Sequence, residues 1–188
     1  MKLKFYCIYL FIIFFTLFTN KSSKSVDDSD ILVDRVFMTA VKKSKYQKVE
    51  EMLNKDAAVN YKDSKKMVAL AYALEKNDKR MFDLLITNGA NVKVKILNKS
   101  SLLIYYVSVL KHTMIVDLIS AGVDINYQDR LGMTALMHAI EKANVNAVNI
   151  LVRTDFDKDL TDFSGKDINE YAQNSRNVVI KKLIQSLK

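Results

Sequence analysis

The sequence is short of several residues on which enzyme and metal sites depend. Its 188 residues include no proline, one cysteine, two histidines and four glycines. A single cysteine cannot form a disulfide within the chain, and so few cysteines and histidines do not supply the ligands of a structural zinc site. Glycines this sparse exclude a glycine-rich phosphate loop. We therefore expect no catalytic residues, no cofactor and no metal, and we predict that the chain is not an enzyme.

The four glycines follow one period. A 33-residue interval separates Gly89 from Gly122, and the same interval separates Gly132 from Gly165. This period relates three further sets: Phe37, Leu70, Leu103 and Leu136; Ala40, Ala73, Tyr106, Ala139 and Ala172; and Met52, Leu85, Leu118, Leu151 and Ile184. A fixed period of this size is typical of stacked supersecondary units. The register predicts units near 30–62, 63–95, 96–128, 129–161 and 162–188.

Each unit contains two helix-spaced apolar segments separated by a polar break. In the fourth unit, Thr134 is placed to cap the free amides at the start of the first helix, and the second helix is expected near 146–152. In the two preceding units the second helix ends at a glycine, where a left-handed residue can close the last turn. Asp56 and Asp155 take this position in the first and fourth units, and aspartate tolerates the left-handed conformation.

These features resemble the ankyrin repeat. Residues 129–139 (DRLGMTALMHA) are similar to the opening of an ankyrin repeat, and residues 122–126 (GVDIN) are similar to its close. Two positions depart from the family pattern, because Ala135 stands where proline is common and His138 lies one place after the usual histidine. The resemblance implies an all-α solenoid of about five helix-turn-helix units joined by short hairpin-like connections.

The N-terminal residues form a different kind of sequence. Two lysines precede an uncharged apolar stretch over 5–20, which is typical of a secretory signal peptide. An uncleaved membrane anchor is the alternative, although this stretch is short for a span. We expect a signal peptide or anchor over 1–25, a polar spacer over 26–29 and the repeat domain over 30–188. The chain is therefore expected to be exported to the periplasm or the cell exterior, or anchored to the inner membrane by residues 5–20.

Much of the positive charge belongs to this leader. Residues 1–25 hold four lysines and no acidic residue, so the formal net charge falls from +8 to +4 without them. The only cysteine, Cys7, lies there too. The abundance of Lys, Asn, Ile and Tyr indicates an AT-rich genome and, with the leader, a bacterial protein. The lower charge weakens the case for nucleic-acid binding.

One aromatic stripe recurs on the first helices. Tyr72, Tyr105, His138 and Tyr171 share a single 33-residue phase. Aligned rings could form a binding ladder, but we favour packing against the neighbouring repeat. His138 and the other histidine, His112, are interpreted as packing or surface residues.

The candidate binding surface comes from the resemblance. Ankyrin repeats generally bind partners through a concave face made of hairpin tips and the exposed side of the first helices. Carried onto this sequence, that face contains the candidate residues Tyr61, Lys65, Met67, Lys95, Leu97, Val109, Tyr127, Arg130, Leu131 and Met133. Apolar side chains at tips that should be solvated, beside lysines and an arginine, are typical of an interface. The alternative is that the tips pack on one another along the array.

The third unit departs from the others. Its first helix, expected over 101–110, is apolar nearly all round, which indicates burial on more than one side. Tyr106 occupies the small-residue phase and is expected to push two repeats slightly apart. Val109 falls where the concave face should be polar.

The predicted function is a non-catalytic protein–protein interaction module. We expect an unidentified protein partner, a monomeric chain, no nucleic-acid ligand, and membrane contact only through an uncleaved N-terminal segment. An accessory or inhibitory factor of an envelope enzyme is the alternative, and nucleic-acid binding is less favoured.

Overall fold

The computed structural model describes residues 28–187, which form ten α-helices in five consecutive pairs. The first helices of the pairs are α1 (Asp28–Lys42), α3 (Ala69–Glu75), α5 (Leu102–Ser108), α7 (Ala135–Glu141) and α9 (Ile168–Asn174). The second helices are α2 (Tyr46–Leu53), α4 (Lys79–Thr87), α6 (Ile115–Ser120), α8 (Val145–Leu151) and α10 (Val178–Gln185). In the third unit, strands β1 (Lys95–Ile96) and β2 (Ser100–Ser101) pair antiparallel around a 3-10 turn over Leu97–Lys99.

The helix pairs stack in chain order. First helices α3, α5, α7 and α9 begin one period apart, and each packs on the first helix of the unit before it. Second helices pack on one another in the same order from α6 to α10. This linear array confirms the predicted period and the all-α architecture, with one two-residue strand pair added.

The core lies between the two helix layers and follows the predicted phases. Leu70, Leu103 and Leu136 are buried on the first helices, and a leucine in the corresponding phase of the second helix is buried in each of these units. Burying a leucine side chain stabilises a fold by about 1.5–3 kcal/mol, so repetition of these positions through the array accounts for much of its stability.

Polar caps mark the start of several helices. The Thr134 hydroxyl accepts a hydrogen bond from the Met137 amide at 3.4 Å, which confirms the predicted cap of α7. Asp78 and Asn144 cap α4 and α8 in the same way, and Lys111 takes the corresponding position in the unit between them. Lys111 provides no such cap, and the second helix of the third unit begins only at Ile115.

Closure of the second helices matches the prediction except in the fourth unit. Gly89 and Gly122 have φ of 83° and 89°, and Asp56 has φ of 61°. The expectation for Asp155 was wrong, because no residue from 152 to 156 has a positive φ. After α8 the amides of Arg153 and Thr154 bond back to the last helical turn, and the chain then continues without the left-handed closure.

Helix α1 begins at Asp28, so it starts two residues before the predicted domain boundary and takes in the end of the predicted spacer. The predicted signal peptide or anchor over 1–25 lies outside the described residues. Between residues 28 and 187, no helix combines the length and apolar character that a membrane span requires.

Candidate functional site

Three of the hairpin tips are built around an aspartate. The tips are the segments 62–66, 95–99, 128–132 and 161–165 in the second to fifth units. In the second unit, Asp63 Oδ1 accepts the amides of Lys65 at 2.9 Å and Met67 at 3.1 Å. The amide of Asp63 donates to the Met67 carbonyl at 3.0 Å, which closes the hairpin. Asp129 and Asp162 make the corresponding bonds in the fourth and fifth units.

The second carboxylate oxygen of each of these aspartates holds a member of the aromatic stripe. Tyr72 and Tyr171 donate their hydroxyls to Asp63 at 2.6 Å and Asp162 at 2.7 Å. His138 Nε2 lies 2.8 Å from Asp129 Oδ2. In these three units, the main polar contact of the stripe is therefore to the aspartate at the tip of the same unit. This contact was not anticipated from the sequence.

Neighbouring units also reach the stripe. The Lys42 ammonium on α1 lies 2.7 Å from Asp63 Oδ2 and 4.4 Å from the centre of the Tyr72 ring. Tyr105 donates to Glu75 of the preceding unit. Packing between repeats, the preferred interpretation of the stripe, therefore accounts for part of its contacts.

These hydrogen bonds favour ionised aspartates. Burial alone would raise the pKa of Asp63, but hydrogen bonds from Lys42, Tyr72 and the Met67 amide outweigh it and lower the pKa to about 2. Burial also opposes ionisation of Asp129, but contacts with His138 and two backbone amides outweigh it and lower the pKa of this carboxyl. The Tyr171 hydroxyl and the amides of the tip lower the pKa of Asp162 well below its ordinary value.

The third tip has no aspartate and is held by residues that lie outside the tip. Ile96 stands at this position and is buried. From the second unit, Lys62 Nζ donates to the Lys95 carbonyl at 2.8 Å, and from the end of the third unit the Tyr127 hydroxyl donates to the Lys99 carbonyl at 2.7 Å. The Lys95 ammonium also lies over the Tyr127 ring, 3.1 Å from its centre. Burial lowers the pKa of Lys95, and the charge of Asp124 opposes this shift.

A groove of about 460 Å³ separates the third and fourth tips from helix α5. We call it the central groove. Its apolar lining consists of Leu97, Ile104, Tyr105 and Leu131. Asp129, Arg130 and His138 supply most of its polar lining, and of these Asp129 and His138 already bond each other. Arg130 is exposed and makes no ion pair within residues 28–187.

A basic surface adjoins the central groove. Four lysines and an arginine, with Ile96 and Leu97, surround a depression of about 580 Å³. We call this surface the basic tip patch, and its charged members are Lys62, Lys66, Lys95, Lys99 and Arg130. Leu97 and Arg130 line both the patch and the central groove, so the two surfaces are continuous.

Comparison with known proteins decides the family. Residues 103–187 match the family model of ankyrin repeats, in three copies. This part of the chain belongs to the ankyrin-repeat family. No curated protein matches the chain. Helix pairs α1–α2 and α3–α4 lie before the matched residues and continue the same stacked arrangement, so residues 28–187 form one continuous all-α solenoid.

The ankyrin solenoid brings together four of the ten predicted site residues. Lys95, Leu97, Arg130 and Leu131 line the central groove or the basic tip patch. Tyr127 supports them by contacting Lys95 and Lys99. The remaining exposed or half-buried candidates lie elsewhere: Lys65 at the second tip, Tyr61 in a depression between the first and second repeats, and Val109 at the end of α5.

The prediction that Met67 and Met133 belong to the exposed surface was wrong, because both side chains are buried in the core. Each residue follows a left-handed tip position, Lys66 or Gly132, and closes the hairpin through backbone bonds to the tip aspartate. That closure turns the methionine side chain inward beneath the tip.

Phe163 and three of the patch lysines were not predicted from the sequence. Phe163 is 75% exposed at the fifth tip and shares its phase with Leu97 and Arg130, so the repeat period could have identified it. Its amide donates to the Leu131 carbonyl at 3.0 Å. The fourth and fifth tips therefore do pack on each other, as the alternative interpretation of the tips expected.

The polar groups of the central groove do not form a catalytic triad. Ser108 donates to the Tyr105 carbonyl and Ser100 to the Ser101 carbonyl, so both hydroxyls are directed to the backbone. His138 Nδ1 is buried without a hydrogen-bond partner among the described residues, whereas a triad histidine contacts the nucleophile and the acid through different nitrogens. Over residues 28–187 no three His, Cys, Asp or Glu side chains are grouped to hold a metal.

Proposed function

We propose that this chain is a non-catalytic binding protein that holds a protein partner on its concave face, centred on the central groove. Ankyrin repeats are generally protein–protein interaction modules, and this chain carries three matched copies. The narrower assignment to one groove is supported by the side chains that line it.

The observation that carries the proposal is apolar exposure at two neighbouring tips. Leu131 is 63% exposed and Leu97 is 40% exposed, and both line a groove to which the half-buried Tyr105 adds further apolar surface. Burying such side chains against a partner removes apolar area from water, at about 25 cal/mol per Å². Arg130 at the rim adds a residue type that interfaces favour.

The rigidity of the solenoid supports the same proposal. The tips are fixed before any partner arrives, by aspartate bonds in the second, fourth and fifth units and by Lys62 and Tyr127 at the third. A preorganised surface loses little conformational freedom on association, so more of the contact energy contributes to affinity.

We also propose that the protein is exported, on the basis of the basic and apolar leader over 1–20. A partner would then be found in the envelope or outside the cell, and an envelope enzyme regulated by this chain is one such partner.

The test is cross-linking in the producing cell, followed by affinity capture and mass spectrometry of three forms of the full chain. The first is unmodified, the second carries Leu97→Ser and Leu131→Ser, and the third carries Val116→Ser and Val178→Ser. The last pair removes two exposed apolar side chains from the second helices, 58% and 62% exposed, and serves as the matched control.

We expect one protein to be captured by the unmodified chain and the control, and to be lost with the tip variant. Equal capture by all three forms would place the binding site away from the central groove. Loss with the control and not with the tip variant would move it to the second helices.

A further inference from the structure

The tips carry an uneven charge distribution along the solenoid. Segments 62–66 and 95–99 contain five lysines and one aspartate. The loop and tip over 155–162 contain four aspartates and one lysine. The basic residues are therefore concentrated at the second and third tips, where the basic tip patch lies.

The cations of the basic tip patch form no ion pair within the described part of the chain. Lys62 donates to a backbone carbonyl, and Lys95 lies on an aromatic ring with the charge of Asp124 acting on it from a longer distance. Lys66, Lys99 and Arg130 make no ion pair within residues 28–187.

The tip aspartates on either side of the patch are already engaged. Asp63 bonds Lys42, Tyr72 and two amides, and Asp129 bonds His138 and two amides. Neither carboxylate is free to turn toward the patch without opening its own hairpin. The positive field of the patch therefore points to solvent.

The patch and the central groove form one composite surface. Leu97 and Arg130 belong to both, with cations on one side of them and the apolar walls Tyr105 and Leu131 on the other. A ligand lying across the boundary meets positive charge and apolar area within the same contact. Arg130 at the boundary can bind a carboxylate through two parallel N–H donors.

We infer that the partner contributes an acidic peptide segment with an adjacent apolar side chain, its carboxylates over the basic tip patch and its apolar group in the central groove. This inference rests on the proposed function and specifies the chemistry of the partner. Complementary charge accelerates association and orients the segment, while the buried apolar side chain slows dissociation.

An acidic peptide suits this surface better than a nucleic acid. Next to the cations, the surface offers an apolar groove. A nucleic acid would instead require positive side chains to continue along the path of its phosphates. At the fifth tip, the negative charge of Asp162 would repel phosphate, and the exposed Phe163 ring offers apolar area.

The test uses fluorescence anisotropy with the full chain and four labelled probes. The first probe is a peptide in which a run of Asp and Glu is followed by a Leu-Phe pair. The second replaces the acids with Asn and Gln, the third replaces the Leu-Phe pair with Ser, and the fourth is a single-stranded oligonucleotide. We expect the first peptide to bind at least about tenfold more tightly than either altered peptide and than the oligonucleotide.

Two charge-reversal variants locate the contact. Lys66→Glu with Lys99→Glu changes two exposed patch residues, and Lys158→Glu with Lys182→Glu makes the same change in net charge at exposed sites outside the patch. We expect the patch variant to weaken binding of the first peptide by about tenfold or more and the control to change it less than about twofold. Circular dichroism melting of both variants checks that each remains folded.

Three results would overturn the inference. Tighter binding of the oligonucleotide, with a steep loss of affinity in salt, would assign the patch to nucleic acid. A dimer by analytical ultracentrifugation that the patch variant converts to monomer, without peptide binding, would assign it to the acidic 155–162 loop of a second copy. Cellular capture that depends on Leu97 and Leu131 but is unchanged by the patch variant would leave the proposed function intact and reject an acidic partner.

Discussion

The second and third units solve the same structural problem with different residues. In the second unit, Asp63 binds two amides of its own tip and the Tyr72 hydroxyl, so the hairpin is closed from within. In the third unit, Ile96 replaces the aspartate and is buried. Its tip is bonded instead by Lys62 from the unit before and by Tyr127 from the connection to the unit after.

The interiors of the two units also differ at one position of the repeat. Ala73 in the second unit is replaced by Tyr106 in the third, and Tyr106 is fully buried. Its hydroxyl lies 2.7 Å from Asn77 Oδ1 and 2.9 Å from Thr113 Oγ1, and it accepts the Met114 amide at 3.1 Å. The Tyr106 side chain, which was expected to separate two repeats, occupies the space where α6 would otherwise begin. Helix α6 therefore starts later, at Ile115.

The difference shows how a repeat array can tolerate a degenerate member. Stability in a solenoid comes from each unit and from its interfaces with neighbours. The third tip has no aspartate and is held by its own strand pair and by Lys62 and Tyr127, which lie outside the tip. The third unit is also the one whose tip lies between the basic tip patch and the central groove, so its neighbours position the proposed binding surface.

The largest effect is expected from Tyr106→Ala, which restores the small residue of the other units. Removing a buried aromatic side chain leaves a cavity and costs about 3–5 kcal/mol, and the Met114 amide loses its acceptor. Urea unfolding of the full chain measures the loss. Tyr106→Phe keeps the ring and should cost only about 1–2 kcal/mol. Unchanged stability of Tyr106→Ala would mean that α6 rewinds to the earlier start seen in other units.

The next effect tests contact between the fourth and fifth tips. Gly132 has φ of 80°, and a Cβ at this position would lie 2.5 Å from the Phe163 backbone nitrogen. Gly132→Ala therefore combines left-handed strain with a backbone clash, and we expect a loss of about 3 kcal/mol.

The control is Gly165→Ala, at the corresponding position of the fifth tip. Its φ is 87°, but a Cβ there meets no atom within 4 Å. It should cost only the conformational strain, about 1 kcal/mol. Equal losses in thermal or urea unfolding would show that the fifth tip moves away easily and does not fix the fourth.

The aspartate tips should lose stability in acid, and the Asp63 tip allows the test. Its folded-state pKa is about 2, below the ordinary 3.8, so its stabilisation is present above about pH 4 and is lost as the pH falls toward 2. Asp63→Asn should cost about 1 kcal/mol at neutral pH and reduce the dependence of the unfolding free energy on pH in that window. Urea unfolding at several pH values, with the unmodified chain in parallel, measures both. An unchanged pH dependence in the variant would mean that Asp63 contributes little.

Sequence periodicity sufficed for the fold because the core repeats with it. The buried leucine and alanine phases, the Thr134 cap and the helix order all follow from residues that lie close together in sequence or one period apart. The tip contacts could not be derived in this way. Whether Asp129 reaches His138, or Met133 turns inward, depends on the hairpin conformation between them, which the apolar pattern does not determine.

Only part of the candidate surface could be predicted from the sequence. Leu97, Arg130 and Leu131 were identified because a family tip position is normally exposed. Lys62, Lys66 and Lys99 were missed because a single lysine in a polar connection carries no signal until the solenoid aligns the second and third tips. Phe163 was missed although the 33-residue period places it with Leu97.

The smallest effect isolates the support that the third tip receives from Tyr127. Tyr127→Phe removes the hydroxyl that donates to the Lys99 carbonyl and leaves the ring beneath Lys95, so global stability should fall by only about 1 kcal/mol. Tyr61→Phe is the matched control. Tyr61 occupies the same phase two periods before Tyr127, beside a tip that Asp63 closes from within.

Amide hydrogen exchange distinguishes the two variants more sharply than global unfolding does, because a local opening exposes only the amides of one tip. Tyr127→Phe should accelerate exchange over 96–101, and Tyr61→Phe should leave exchange over 63–67 unchanged. Binding of the acidic probe peptide should weaken with Tyr127→Phe alone, since the position of Lys99 depends on that hydroxyl. If both variants exchange alike, the third tip is held by its own strand pair, and Tyr127 does not position the basic tip patch.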